Sequence, residues 1–254
     1  MESYFILGLI LSAAIGFSLG LIGGGGSIIT VPVLVYVLGV EAHQAVGMSL
    51  AVVGSTSLIG AMFHYRRGTV DLKTGTFFGG SGILSAYFGS HLTHFLSPAV
   101  LLLSFAGLML LIAILMLTRK QTGEGETNNK NKSALKAVVT GSGVGFLTGF
   151  LGVGGGFLIV PALMLFGGLS MRHAIGTSLM VISINCVAGL FGHLSYGGFD
   201  FYLTFLVTLL AAMGTLLGTV LSHRTSPTYL RKGFAVFVIM VAFFLITKNY
   251  TALF

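Results

Sequence analysis

A chain of 254 residues that is 55% hydrophobic and only 7% charged, with a mean hydropathy of +0.99, falls outside most soluble folds, whose charged share runs near a quarter. The formal charge of +7 does not indicate a nucleic-acid partner: the cations sit in short gaps between apolar runs, not on one face that could track phosphates. With 38 glycines and no Trp, the composition is that of an all-α polytopic membrane protein whose partner is the lipid bilayer and whose helices pack through small residues.

The N-terminus, Met1-Glu2-Ser3-Tyr4, lacks the basic segment of a signal peptide, and the first apolar run, 4–22, is expected to be retained as structure. It ends at Gly23-Gly24-Gly25-Gly26, where intrinsic propensity interrupts a helix. The next run, 27–39, contains Pro32 and is too short to cross: at 1.5 Å per residue it reaches about 20 Å of a roughly 30 Å core. Longer runs follow at 45–64, 74–92 and 98–118. The polar stretch 119–134, with five cations in and beside it, reads as a solvated cytoplasmic linker between a first unit, 1–118, and a second, 135–254. The second unit repeats the order with runs at 135–151, 156–168, 173–193, 202–222 and 232–247, the short one following Gly152-Val153-Gly154-Gly155-Gly156 and containing Pro161.

Residues 16–117 lie over 145–246 at a constant offset of 129, without a gap, and give 28 identities in 102 positions. The aligned pairs include Pro32 with Pro161, Ser49 with Ser178, His64 with His193, Asp71 with Asp200 and His94 with His223. The basic loops do not match across the repeat. Arg66, Arg67 and Lys73 follow the third run of the first half, whereas Arg224, Arg231 and Lys232 follow the fourth run of the second. Under the positive-inside rule this asymmetry predicts inverted repeats, related by a two-fold axis in the membrane plane, with both termini outside. Each repeat then opens with a Gly-broken discontinuous helix, hinged near Pro32 or Pro161, and continues with about three transmembrane helices.

Broken backbone is tolerated at membrane depth only where protein or a water-filled cavity satisfies its amides. A helix starting after each glycine cluster offers free N–H groups and about half a positive charge, so two such ends meeting near the midplane would attract a small anion without a buried cation. The candidate site is therefore Gly23, Gly24, Gly25, Gly26 and Ser27, with Gly152, Gly154, Gly155 and Gly156, and neutral donors from Ser49, Thr56, Thr177, Ser178 and Asn185. The competing reading makes these small residues packing contacts alone. His64 and His193 are candidates for proton coupling, with an interfacial hydrogen-bonding role as the alternative. Asp71 and Asp200 fit as caps of the helices that follow them. The lone Cys186 forms no intrachain disulfide. No cofactor and no metal site are expected, and a homo-oligomer is left open.

The segments Leu21-Ile22-Gly23-Gly24-Gly25-Gly26-Ser27 to Val31-Pro32-Val33-Leu34 and Ala45-Val46-Gly47-Met48-Ser49-Leu50, with their second-half counterparts through Val160-Pro161-Ala162-Leu163 and Ala174-Ile175-Gly176-Thr177-Ser178-Leu179, resemble the sulfite exporter TauE/SafE family, also described as toluene sulfonate uptake permeases. The resemblance covers nearly the whole chain. It implies a permease of the cytoplasmic membrane that moves sulfur-containing or organic anions such as sulfite, sulfonates or sulfoacetate. The family's basic turn is matched by His64-Tyr65-Arg66-Arg67-Gly68-Thr69-Val70-Asp71, while the second half keeps His193 and Asp200 but not the arginines. Two other functions compete: a passive small-anion channel, and an intramembrane serine protease using Ser81 in Gly79-Gly80-Ser81-Gly82.

Overall fold

The computed structural model describes residues 2–92, 98–118, 130–151, 156–193 and 200–249. All regular structure among them is helical, in the order α1 (Glu2–Ile22), α2 (Gly25–Tyr36), α3 (Ala42–Arg66), α4 (Leu72–Leu92), α5 (Pro98–Thr118), α6 (Lys130–Leu151), α7 (Gly156–Leu165), α8 (Met171–His193), α9 (Phe201–Arg224) and α10 (Pro227–Asn249). Each apolar run of the sequence corresponds to one helix. Four described stretches are long and apolar enough to cross a membrane: Gln44–Arg66, Met171–Leu190, Phe201–Arg224 and Pro227–Phe244. The polar connection is shorter than expected, because α6 begins at Lys130.

In the first half the interruption is a reversal of direction, where the sequence suggested a helix broken but continuing. After α1, Gly23 takes φ of +81°, a region closed to most side chains, and α2 runs back along α1. The reversal is fixed by Gly26 against the Ile15 carbonyl, Gly25 against Ser18, and Gly8 against Leu38. α2 and α7 run through Pro32 and Pro161, which interrupt neither helix. Proline lacks an N–H, so the Ile28 and Phe157 carbonyls lose their usual intrahelical donors.

Helix packing follows the repeat. α1 lies along α9, parallel to it, with Gly16 on the Ala211 carbonyl and Gly20 on that of Thr215. α6, the counterpart of α1, lies along α4, the counterpart of α9, also parallel, through Gly141 on Phe78 and Gly145 on Gly82. α3 pairs with its own counterpart α8, and α5 with its counterpart α10. Numbering rises along α3 as it falls along α8: Leu50 faces Gly189, Gly54 faces Cys186, Gly60 faces Leu179 and His64 faces Gly176. These repeat-equivalent helices are thus antiparallel, and their contact runs from Leu50 and Gly189 to His64 and Gly176. Buried side chains such as Leu19, Phe157, Ile175, Leu179 and Phe234 fill the centre, while Leu84, Phe88, Phe205, Leu217 and Phe243 are exposed, as expected for helices whose outer faces meet lipid.

Local caps form where the sequence placed them. The Asp200 carboxylate accepts the Leu203 N–H at 3.0 Å. The Asp71 carboxylate accepts both the N–H and the hydroxyl of Thr74, at 2.9 and 2.8 Å. Each satisfies an orphan donor of a first helical turn.

Candidate functional site

The first turns of α2 and α7 meet. A methyl placed on Gly24 would stand 2.6 Å from the Gly156 carbonyl oxygen, and one on Gly156 would stand 2.6 Å from Ser27 Oγ. Ser27 and Gly156 are repeat-equivalent, 129 positions apart, so the contact joins matching points of the two halves. Gly156 also abuts Ile182 of α8, one turn from Asn185. No side chain caps the start of α2. Ser27 donates to the Gly24 carbonyl at 2.8 Å and so does not itself cap the N–H groups of that first turn. Gly152, Gly154 and Gly155 lie outside the described residues.

The expected hydroxyl donors have varied employment. Ser178 donates to the Gly23 carbonyl at 2.7 Å, shared with Ile175 of its own helix at 2.8 Å, so it fastens the α1–α2 turn to α8. Thr177 accepts the Asp71 N–H at 3.0 Å and anchors the start of α4. Thr56 donates back to the Val52 carbonyl at 2.7 Å. Ser49 is buried on α3. Asn185 alone among these donors combines a central position with an orphaned group: its Oδ1 is buried with no hydrogen-bond partner among the described residues. Ser18 Oγ is also buried without a partner there, beside Gly25. Sequence reasoning missed Ser18 because its counterpart is Leu147, so the repeat carried no signal.

The two histidines named as candidates for proton coupling lie apart. With α3 and α8 antiparallel, His64 and His193 stand at opposite ends of the bundle; the side chain of His193 is not among those described. His64 instead faces His223 of α9, the rings 4.7 Å apart between centroids. The sequence signal for His223 is its alignment with His94, and its neighbours Ser226-Pro227 mark a turn rather than a site. The same end of the bundle holds Arg67, stacked 4.4 Å over Phe63, and Arg172, which donates to the His223 and Thr225 carbonyls at 3.3 Å and so caps the negative end of α9. Ser81 donates to the Val138 carbonyl at 3.1 Å, shared with Phe78 of its own helix at 3.2 Å, and so ties α4 to α6. Among the described residues no group of three or more His, Cys, Asp or Glu is gathered as a metal site would need.

Comparison with known proteins agrees with this architecture. The family described as sulfite exporter TauE/SafE matches residues 8–245. A probable membrane transporter protein of Xylella fastidiosa is 34% identical over 251 residues, covering 94% of each chain. The probable membrane transporter protein YdhB of Bacillus subtilis is 36% identical over 208 residues, 80% of this chain and 83% of its own. A probable membrane transporter protein of Methanocaldococcus jannaschii is 26% identical over 250 residues, with 91% of this chain and 92% of its own covered. No solved structure matches significantly. The chain therefore belongs to the sulfite exporter TauE/SafE family and is a multi-pass membrane transporter, not an enzyme.

Proposed function

We propose that this protein is a carrier in the cytoplasmic membrane that moves small sulfur-containing or organic anions, such as sulfite, sulfonates or sulfoacetate, by alternating access. One observation carries the reading: the start of α2, capped by no described side chain, meets the first turn of α7 at the repeat-equivalent Ser27 and Gly156. Two helix N-termini at one point supply N–H donors and together roughly one positive charge, in a place where a buried Lys or Arg would be costly. Ser27 lies at the meeting point, Asn185 with its orphaned Oδ1 lies one helical turn from Ile182, which abuts Gly156, and the α1–α2 reversal, with α2 passing through Pro32, gives the first repeat an element able to shift against the second. Uptake of labelled sulfite, methanesulfonate and chloride into proteoliposomes tests this. Saturable flux of a sulfur anion in excess of chloride is expected. No saturable flux of any sulfur or organic anion would sink the substrate assignment, and ohmic current would replace the carrier with a channel.

The repeats are, in this reading, inverted in the bilayer. Antiparallel α3 and α8 favour it, and so does the junction of the α3 and α9 C-termini, which gathers Arg66, Arg67 and Arg224 at one end. Parallel repeats would instead set the ends of α3 and α8 side by side. Since Cys186 is buried and is the only native cysteine, Arg67→Cys and Arg231→Cys give clean reporters. Both are expected to resist an impermeant maleimide on intact cells and to react after permeabilisation; reaction from opposite faces contradicts inversion.

A further inference from the structure

The histidine contact at the basic end is left over by the anion site. His64 is fully buried in the last turn of α3. Its Nδ1 lies 2.8 Å from Thr69 Oγ1, and that hydroxyl donates its own hydrogen to the His64 carbonyl at 3.0 Å. With the single hydrogen of that hydroxyl given to the carbonyl, the ring donates from Nδ1 and keeps its free lone pair at Nε2, the tautomer taken below. That Nε2 is buried without a partner among the described residues, and so is Nε2 of His223, on a ring tilted 36° to the first. Ser222, next to His223, is fully buried with its hydroxyl likewise unmatched.

Buried polar atoms are nearly always hydrogen-bonded, and exceptions call for an explanation. Here they fall on two adjoining rings contributed by different repeats. The charged and titratable groups facing the pair are Arg67 from the end of α3, and Arg172 and His173 from α8. The carboxylate of Asp71, in the loop below, is engaged by Thr74.

We propose that His64 and His223 together bind one proton that is carried with each anion, which makes the protein an anion–proton symporter. The proposal rests on the carrier reading above. A proton taken from water onto either Nε2 fills one free lone pair and turns that nitrogen into a donor, with the positive charge left on the imidazole. Arg67 and Arg172 already crowd this end with positive charge, so the added proton is best accommodated when an anion arrives with it. Proton and anion then strengthen one another's binding, and the coupling is reciprocal. Thr69 is a positioning residue: it fixes the tautomer that leaves Nε2 bare.

The test uses the full chain in liposomes with methanesulfonate, a strong-acid anion whose charge is constant across the histidine range. In the unaltered protein an inward gradient of one pH unit should raise accumulation about ten-fold, the factor for one proton per anion, and a trapped dye should report acidification with uptake. In His223→Gln, and in His64→Gln where it folds, gradient-driven accumulation relative to anion counterflow should fall to the value without a gradient, and the dye signal should vanish. Counterflow needs no net proton movement, so it serves as the reference for folding and anion binding. Gradient-driven accumulation that persists in His223→Gln overturns the proposal. If the unaltered protein moves no sulfur anion, the carrier reading fails by itself, and the pair is judged by ¹⁵N-histidine spectra of the full chain in nanodiscs. Coupled titration, with the midpoint of one ring moving by about one pH unit when the other is replaced, supports the pair; independent titration overturns it.

Discussion

Gly16→Val is expected to break the molecule apart at its α1–α9 seam, with a loss of about 3 kcal/mol and a fall in Tm of roughly 6–12 °C in detergent. A Cβ at Gly16 would overlap the Ala211 carbonyl oxygen, and one at Gly20 would overlap that of Thr215. From the other side, Gly214 and Gly218 stand in the same relation to the carbonyls of Ala13 and Phe17. Four glycines thus let two backbones interleave, and Thr215 adds an interhelical hydrogen bond to the Gly16 carbonyl at 3.1 Å. Within lipid, helix association depends on this close van der Waals packing, since the tails are as apolar as leucine. The obstructing atoms are backbone and cannot turn aside, so valine must part the helices. Gly80→Ala on α4, where nothing lies within 4 Å, is the control and should leave stability within about 0.5 kcal/mol of the parent, and Tm nearly unmoved. An unchanged Tm in Gly16→Val would mean that the seam is looser than described.

The features legible in the sequence are those set by local chemistry. Apolar run length and Gly or Pro punctuation locate all ten described helices, and Asp71 and Asp200 cap helices because their acceptor lies within three residues of the donor it serves. The reversal at Gly23 was not legible. Glycine permits a positive φ but equally permits a kink, and the choice is made by contacts such as that of Ser178 with the Gly23 carbonyl, 155 residues away in sequence. Helix partners were hidden for the same reason: glycines announce close packing but do not say that α1 takes α9 while α4 takes α6. The neutral donors looked alike, yet Thr177 and Ser178 serve backbone groups of the first half whereas Asn185 Oδ1 has no partner among the described residues. His64 and His223 occupy unmatched positions of the two repeats, so neither alignment nor spacing joins them. Only the antiparallel crossing of α3 with α8, and of α9 beside them, brings them together.

Gly24→Val is expected to abolish transport, lowering the initial rate at least about 100-fold, while leaving most of the fold intact. The added Cβ would stand 2.6 Å from the Gly156 carbonyl oxygen and 2.9 Å from Phe157 Cα, both of them backbone of the first turn of α7. The only relief is to separate α2 from α7, and a displacement near 1 Å at a site built from converging donors is enough for a loss of that size. The stability cost should be smaller than for Gly16→Val, because α2 and α7 touch over little more than their first turns whereas α1 and α9 share a long seam. Gly39→Ala separates strain from obstruction: Gly39 has φ of +69° with nothing within 4 Å, so alanine there should cost about 1–2 kcal/mol of stability and spare transport. Transport at the parent rate in Gly24→Val would remove the anion site from the α2–α7 meeting point. A Tm loss as large as that of Gly16→Val would make the same glycine a part of the scaffold, since obstruction confined to the substrate path should reduce flux well before it unfolds the bundle.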